Sequence, residues 1–122
     1  MYNIIRYISK KNFFLKTKSF SKARDLIRSF FDRGTEDIFN RINSKEARLT
    51  CPERIWSGAR RKLDQLNAVI SFGSLRIPPG NKLEALKGDR QGQYSIRIND
   101  QFRVCFIWTS EGPERVEITD YH

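Results

Sequence analysis

Three stretches near the C-terminal end of the chain alternate apolar and polar residues: Gln93–Ile98, Phe102–Trp108 and Arg115–Asp120. A period of two is that of a half-buried strand, because successive side chains point to opposite faces. Gly88-Asp89-Arg90-Gln91-Gly92, Asn99-Asp100-Gln101 and Ser110-Glu111-Gly112-Pro113 punctuate them, so the pattern predicts an antiparallel meander. Tyr94, Ile96 and Ile98 share one side against Ser95 and Arg97. Phe102, Val104, Phe106 and Trp108 oppose Arg103, Cys105 and Ile107 in the same way. One face is apolar enough to take a helical layer. The other holds an arginine in mid-strand, where a charge costs free energy unless something pairs it.

Upstream the period lengthens to that of a helix. Leu26–Phe31 alternates weakly and is expected to be a first strand. Arg33-Gly34 turns the chain, and Thr35 is expected to cap a short helix with Glu36 and Asp37 in its first turn and Ile38, Phe39 and Ile42 on its apolar face. Thr50-Cys51-Pro52-Glu53 has the form of a capping box and predicts the start of a second helix. Its stripe is Ile55, Trp56, Ala59, Leu63, Leu66 and Ile70; Arg60, Arg61, Lys62 and Asp64 lie off it and read as a solvated face. Pro78-Pro79-Gly80 turns the chain towards the sheet. The expected fold class is α+β, with an N-terminal strand and two helices packed on a four- to five-stranded, mainly antiparallel sheet.

Composition limits the chemistry. A chain of 122 residues with 39% hydrophobic and 30% charged residues is an ordinary one-domain composition. Cys51 and Cys105 stand 54 positions apart and read as reduced thiols of a cytoplasmic protein. A structural zinc site uses about four N/S ligands, and one histidine with two cysteines cannot supply them. No cofactor or metal is expected. The net charge of +9 is uneven: residues 1–25 hold seven Lys/Arg against one acid, which is +6, and the remaining 97 hold sixteen against thirteen, which is +3. Bulk charge therefore does not by itself make the folded body an RNA binder. Residues 1–25 contain no apolar run of membrane-span length and no secretory cleavage pattern. They faintly resemble an organelle presequence and are expected to be a basic extension, or the product of an upstream start, ahead of a domain spanning 26–122.

From about Leu26 onward the chain resembles the HigB-type toxins of the RelE/ParE superfamily. Ile27-Arg28-Ser29-Phe30 and Arg61-Lys62-Leu63 with Leu66 carry part of that likeness. Pro78-Pro79-Gly80-Asn81-Lys82-Leu83-Glu84-Ala85-Leu86, Gly88-Asp89-Arg90 and Gln93-Tyr94-Ser95-Ile96-Arg97 carry more of it, and Asn99-Asp100-Gln101-Phe102-Arg103 and Asp120-Tyr121-His122 complete it. The resemblance implies a RelE-like fold and a bacterial, cytoplasmic endoribonuclease that cuts mRNA, commonly on the ribosome, without metal. It also implies a cognate helix-turn-helix antitoxin of the HigA kind. By the same resemblance Lys87 matches the phosphate-binding lysine, Arg103 the arginine of transition-state stabilisation, and Tyr121 and His122 the C-terminal pair that follows Asp120. Some members have histidine where Glu84 stands, which leaves the general base open.

The residues support such a site independently. Attack of a 2′-OH on the adjacent phosphorus needs a proton acceptor, a proton donor and fixed cations. His122 is the only histidine and the only side chain with an unperturbed pKa near neutrality. Arg103 sits on a strand opposite the apolar side, where a donor is held rigidly; the alternative is a cross-strand ion pair with Glu117 or Asp120. Lys87 and Arg90 flank Gly88-Asp89 in a loop and can meet phosphate, with Arg97 and Lys82 as further RNA contacts. Tyr121 can stack a base, whereas Tyr94 reads as core. Glu84 is a candidate base or a plain partner of Lys82 or Lys87. Two other functions stay open: a ParE-like inhibitor of DNA gyrase, which needs no C-terminal histidine, and a non-catalytic nucleic-acid-binding module.

Overall fold

The computed structural model describes residues 26–121. Residues 1–25, expected to be a basic extension, and His122, expected in the site, lie outside them. The elements are α1 (Arg33–Phe39), α2 (Lys45–Thr50), α3 (Trp56–Ala68), β1 (Glu84–Ala85), β2 (Tyr94–Arg97), β3 (Phe102–Thr109) and β4 (Gly112–Asp120). The four strands form one sheet in the order β1-β2-β3-β4, each pair antiparallel. This is the expected α+β architecture with the expected meander. No helix among the described residues is long and apolar enough to cross a membrane.

The apolar face of the sheet is covered by the helices. Ile96, Phe102, Val104, Phe106, Val116 and Ile118 pack with Ile38 and Phe39 of α1 and Ala59, Leu63 and Leu66 of α3. Tyr94 belongs to this side, with its ring 4.7 Å from Phe72 and 6.3 Å from Phe106. The opposite face carries Ser95 and Arg97 of β2, Arg103 and Cys105 of β3, and Glu117 and Thr119 of β4. The register is Ser95↔Cys105↔Glu117 and Arg97↔Arg103↔Thr119.

Several local expectations fail for identifiable reasons. Leu26–Phe31 does not form a strand; it makes one parallel bridge, Phe30↔Val116, beside β4. There the register shifts: between the pairs Cys105↔Glu117 and Ile107↔Glu114, β4 has one residue more than β3, and Arg115 takes φ 54. The bulge leaves room for the N-terminal segment to dock, through Arg28 N to Pro113 O (2.7 Å), Val116 N to Ser29 O (3.0 Å) and Phe31 N to Val116 O (2.9 Å).

Thr35 is not the cap of α1. Asp32 is, accepting from Thr35 N at 2.7 Å, and the Thr35 hydroxyl instead accepts from Ile118 N at 3.0 Å, tying helix to sheet. Ile42 falls beyond this helix and is half exposed. A further helix, α2, escapes sequence reading because only Ala47 of its six residues is buried, so it has no stripe. Ser44 caps it through Ala47 N at 3.0 Å. Gly34 lets it approach α1: a Cβ there would lie 1.8 Å from Thr50 Oγ1 and 2.6 Å from Glu46 O. Thr50 does not cap a following helix: it is the last residue of α2, and its hydroxyl donates back to Glu46 O at 2.9 Å. The chain runs instead through Pro52 and a turn of 3-10 helix, Glu53–Ile55, into α3. The stripe ends at Leu66; Val69 turns inward beyond Ala68, and Ile70 is 72% exposed.

Of the residues off the stripe of α3, Arg61 and Asp64 stay exposed as expected, whereas Arg60 and Lys62 hold the fold. Arg60 Nε donates to Ile38 O at 3.0 Å and its guanidinium lies 5.5 Å from the Trp56 ring. Lys62 Nζ donates to the Asn81 side-chain oxygen. Burial, with Arg61 beside it, lowers the Lys62 pKa from its ordinary value.

Candidate active site

Arg103 is 5% exposed, so its charge must be met by fixed partners. Nε donates to Ser95 Oγ at 2.7 Å, and Nη2 donates to Lys82 O at 2.7 Å and lies 3.4 Å from Glu84 Oε1. The Tyr121 ring covers it, 5.0 Å from Cζ, close enough for a cation–π attraction. The expected alternative, a pair with Glu117 or Asp120, is not what forms; the carboxylate is Glu84, half exposed on β1.

The carbonyl that Arg103 uses is set by a chain of contacts from α3. Asn81 is fully buried, and its amide donates to Leu75 O and Gln65 Oε1, both at 3.0 Å, while its oxygen takes the Lys62 ammonium. That anchor ends the 3-10 turn Pro79–Asn81, and Lys82 follows in the left-handed region at φ 47, with its carbonyl turned to the guanidinium. Lys82, expected as an RNA contact through its amine, serves the site through its backbone. Asn81 was not singled out as a functional residue; only its place just before a non-glycine residue that must turn left-handed hints at the role.

Beside Arg103 opens a cleft of about 460 Å³ lined by Leu86, Lys87, Arg90, Cys105, Thr119, Asp120 and Tyr121. Lys87 is exposed at the entry to the 3-10 turn Gly88–Arg90. Arg90 reaches over the sheet: Nη1 lies 3.1 Å from Glu117 Oε1 and 3.0 Å from Gln93 Oε1, and the Glu117 hydrogen bond raises its pKa further. Cys105 is fully buried on the cleft floor, and burial raises its thiol pKa although Thr119, Arg90 and Arg103 pull it down.

Of the sequence candidates, Arg103, Glu84, Lys87, Arg90 and Tyr121 therefore converge on one side of the sheet, with Ser95 as an added support. Arg97 shares that side and sits opposite Arg103, yet its guanidinium pairs with Asp100 in the β2–β3 turn. Asp120 is directly opposite Phe102, on the helix-covered side by strand alternation, and accepts from Gln101 Nε2 at 3.1 Å at the sheet margin. It nevertheless lines the cleft. His122 follows Tyr121 and lies outside the described residues.

A family model described as the RelE-like toxin of the type II toxin–antitoxin system HigB matches residues 24–122. The chain belongs to this family. Toxin HigB-1 of Vibrio cholerae serotype O1 is 40% identical over 79 residues, which cover 65% of this chain and 80% of that protein. A protein of Haemophilus influenzae is 38% identical over 63 residues, 52% of this chain and 60% of its own length. Among solved structures, a chain of the YoeB-YefM complex from Staphylococcus aureus superposes with a TM-score of 0.44 at 18% identity, covering 79% of this chain and 94% of that one. The protein is thus a RelE-like toxin of a type II toxin–antitoxin system, and its cognate partner is an antitoxin. The fold built around Arg103 is the toxin fold.

Proposed function

We propose that the toxin is a cytoplasmic endoribonuclease that cuts mRNA, on the ribosome, by attack of a 2′-OH on the adjacent phosphorus. The observation that carries this reading is the Arg103 guanidinium, buried and held by Ser95, Lys82 O and Glu84 at the side of a cleft whose rim adds Lys87 and Arg90. In the reaction the O2′–P bond forms as the P–O5′ bond breaks, leaving a 2′,3′-cyclic phosphate and a 5′-hydroxyl. The 2′-OH proton passes to a base, and a second proton goes to the departing 5′ oxygen. Glu84, in contact with the same guanidinium, takes the base role, and His122 the acid role. Arg103 meets the charge that builds on the phosphoryl oxygens without having to reorganise, the kind of contribution that often dominates such steps. Lys87 and Arg90 hold the flanking backbone, and Tyr121 stacks a base. The domain doing this spans residues 26–122, with 1–25 as a basic extension. The antitoxin is a small helix-turn-helix protein of the HigA kind.

Replacing Arg103 by Ala, and separately deleting His122, is expected to lower mRNA cleavage in translating extracts by about 10²–10³-fold and to relieve growth arrest. Thermal melting of each variant, with Arg103→Lys as a better-folding companion, separates loss of activity from loss of structure. Folded variants that still cleave and arrest growth fully would overturn the proposal. Growth arrest with intact mRNA and DNA-damage signalling would identify a gyrase poison instead.

A further inference from the structure

A second cavity, of about 340 Å³, adjoins the first along the open face of the sheet. It is lined by Phe31, Asp89, Arg90, Gln93, Arg115 and Glu117. Arg90 lines both, so its link to Glu117 is the partition between them. The bulge in β4 creates this site. Phe30 enters the core while the next residue, Phe31, stays 49% exposed, and the Arg115 guanidinium stands 5.2 Å from the Phe31 ring. Holding Arg115 at φ 54 is a conformation that only a special backbone setting sustains. Two cations, Arg90 and Arg115, are offset here by two acids, Asp89 and Glu117, so the lining is close to neutral. Such a lining repels no base and offers no excess charge for phosphate. An exposed ring with a guanidinium over it is a stacking platform for any unpaired base.

We propose that the Phe31–Arg115 cavity is a subsite for one unpaired nucleobase of the RNA, neighbouring the nucleotides held beside Arg103. This rests on the RNA-cleavage reading of the main cleft. One strand would cross Arg90, its scissile phosphate on the Arg103 side and the next base against Phe31. Phe31 and Arg115 would then set which sites are cut, not how fast the bond breaks.

The test uses the full chain cleaving a defined RNA in a purified translation system, with single abasic ribosides walked through the positions flanking the cut. For the wild type, loss of the base at one position is expected to raise the apparent KM about tenfold with little change in kcat. Phe31→Ala is expected to raise KM by a similar factor on intact RNA and to be indifferent to that same abasic position, while Phe31→Trp restores the wild-type response. Phe31→Ala cleaving with unchanged KM, or losing affinity equally at every abasic position, would overturn the subsite and leave the nuclease intact. No cleavage by the wild type would instead refute the RNA reading itself. Because Phe31 is half exposed, the melting temperature of Phe31→Ala should stay near the wild type, which separates a stacking role from a structural one.

Discussion

Phe102, Val104 and Phe106 leave β3 on one side, Arg103 and Cys105 on the other, and all five are buried. On the first side the neighbours are interchangeable: each side chain meets several apolar groups, and what matters is volume and the absence of water. On the second side Nε and Nη2 of Arg103 have named counterparts at set distances, Ser95 for the first and Lys82 O with Glu84 for the second. Burial on the helix side thus produces stability, and burial on the open side produces orientation. Errors on the two sides should have different signatures.

The largest effect is expected from the helix side. Phe106→Ala removes a fully buried ring and should lower the free energy of unfolding by about 3–5 kcal/mol, seen as a shifted denaturant midpoint, with any loss of activity following the unfolded fraction. Ser95→Ala is the matching change on the open side. It leaves Arg103 Nε buried without its acceptor, a cost of about 1–3 kcal/mol, and lets the guanidinium turn. Its expected mark is a kcat reduced in molecules that remain folded by circular dichroism, without the proportionality to unfolding that Phe106→Ala shows.

The smallest effect is a difference between the two thiols. Burial pushes Cys51 up to about 11 against a lowering by Trp56 alone, whereas at Cys105 burial, with Glu117 adding to it, is opposed by Thr119, Arg90 and Arg103. A thiol that keeps its proton longer when folded favours the native state less as pH climbs past 9.0, where the unfolded thiol begins to ionise, towards about 11 for Cys51. The wild type should lose stability across that window, and Cys51→Ala should remove more of the loss than Cys105→Ala. Urea titrations at pH 8, 9, 10 and 11 measure both slopes; equal slopes would mean that the arginines do not screen Cys105.

The open side was partly legible in the sequence, and the reason is local. Strand alternation alone placed Arg103 opposite Val104, and the register carried Ser95 and Glu117 to the same surface. The carbonyl that fixes the guanidinium was not legible, since it depends on Asn81 reaching α3 and on a left-handed Lys82. Nor was α2, whose single buried residue leaves no period to detect. Thr50 and Thr35 misled for one shared reason: a hydroxyl that fits a cap has other acceptors or donors nearby in three dimensions, Glu46 O for one and Ile118 N for the other. The bulge at Arg115 is not legible because the segment that docks on it, Ser29 to Phe31, lies far away in the chain.

That docking also orders events in time. Ser29 Oγ accepts from Arg115 N at a separation of 86 positions, so a growing polypeptide carries one half of the clasp long before the other half exists. Until then β4 cannot shelter the core margin or finish the cleft. The margin of the core is thus closed by residues far apart in sequence, so no local segment can complete it alone.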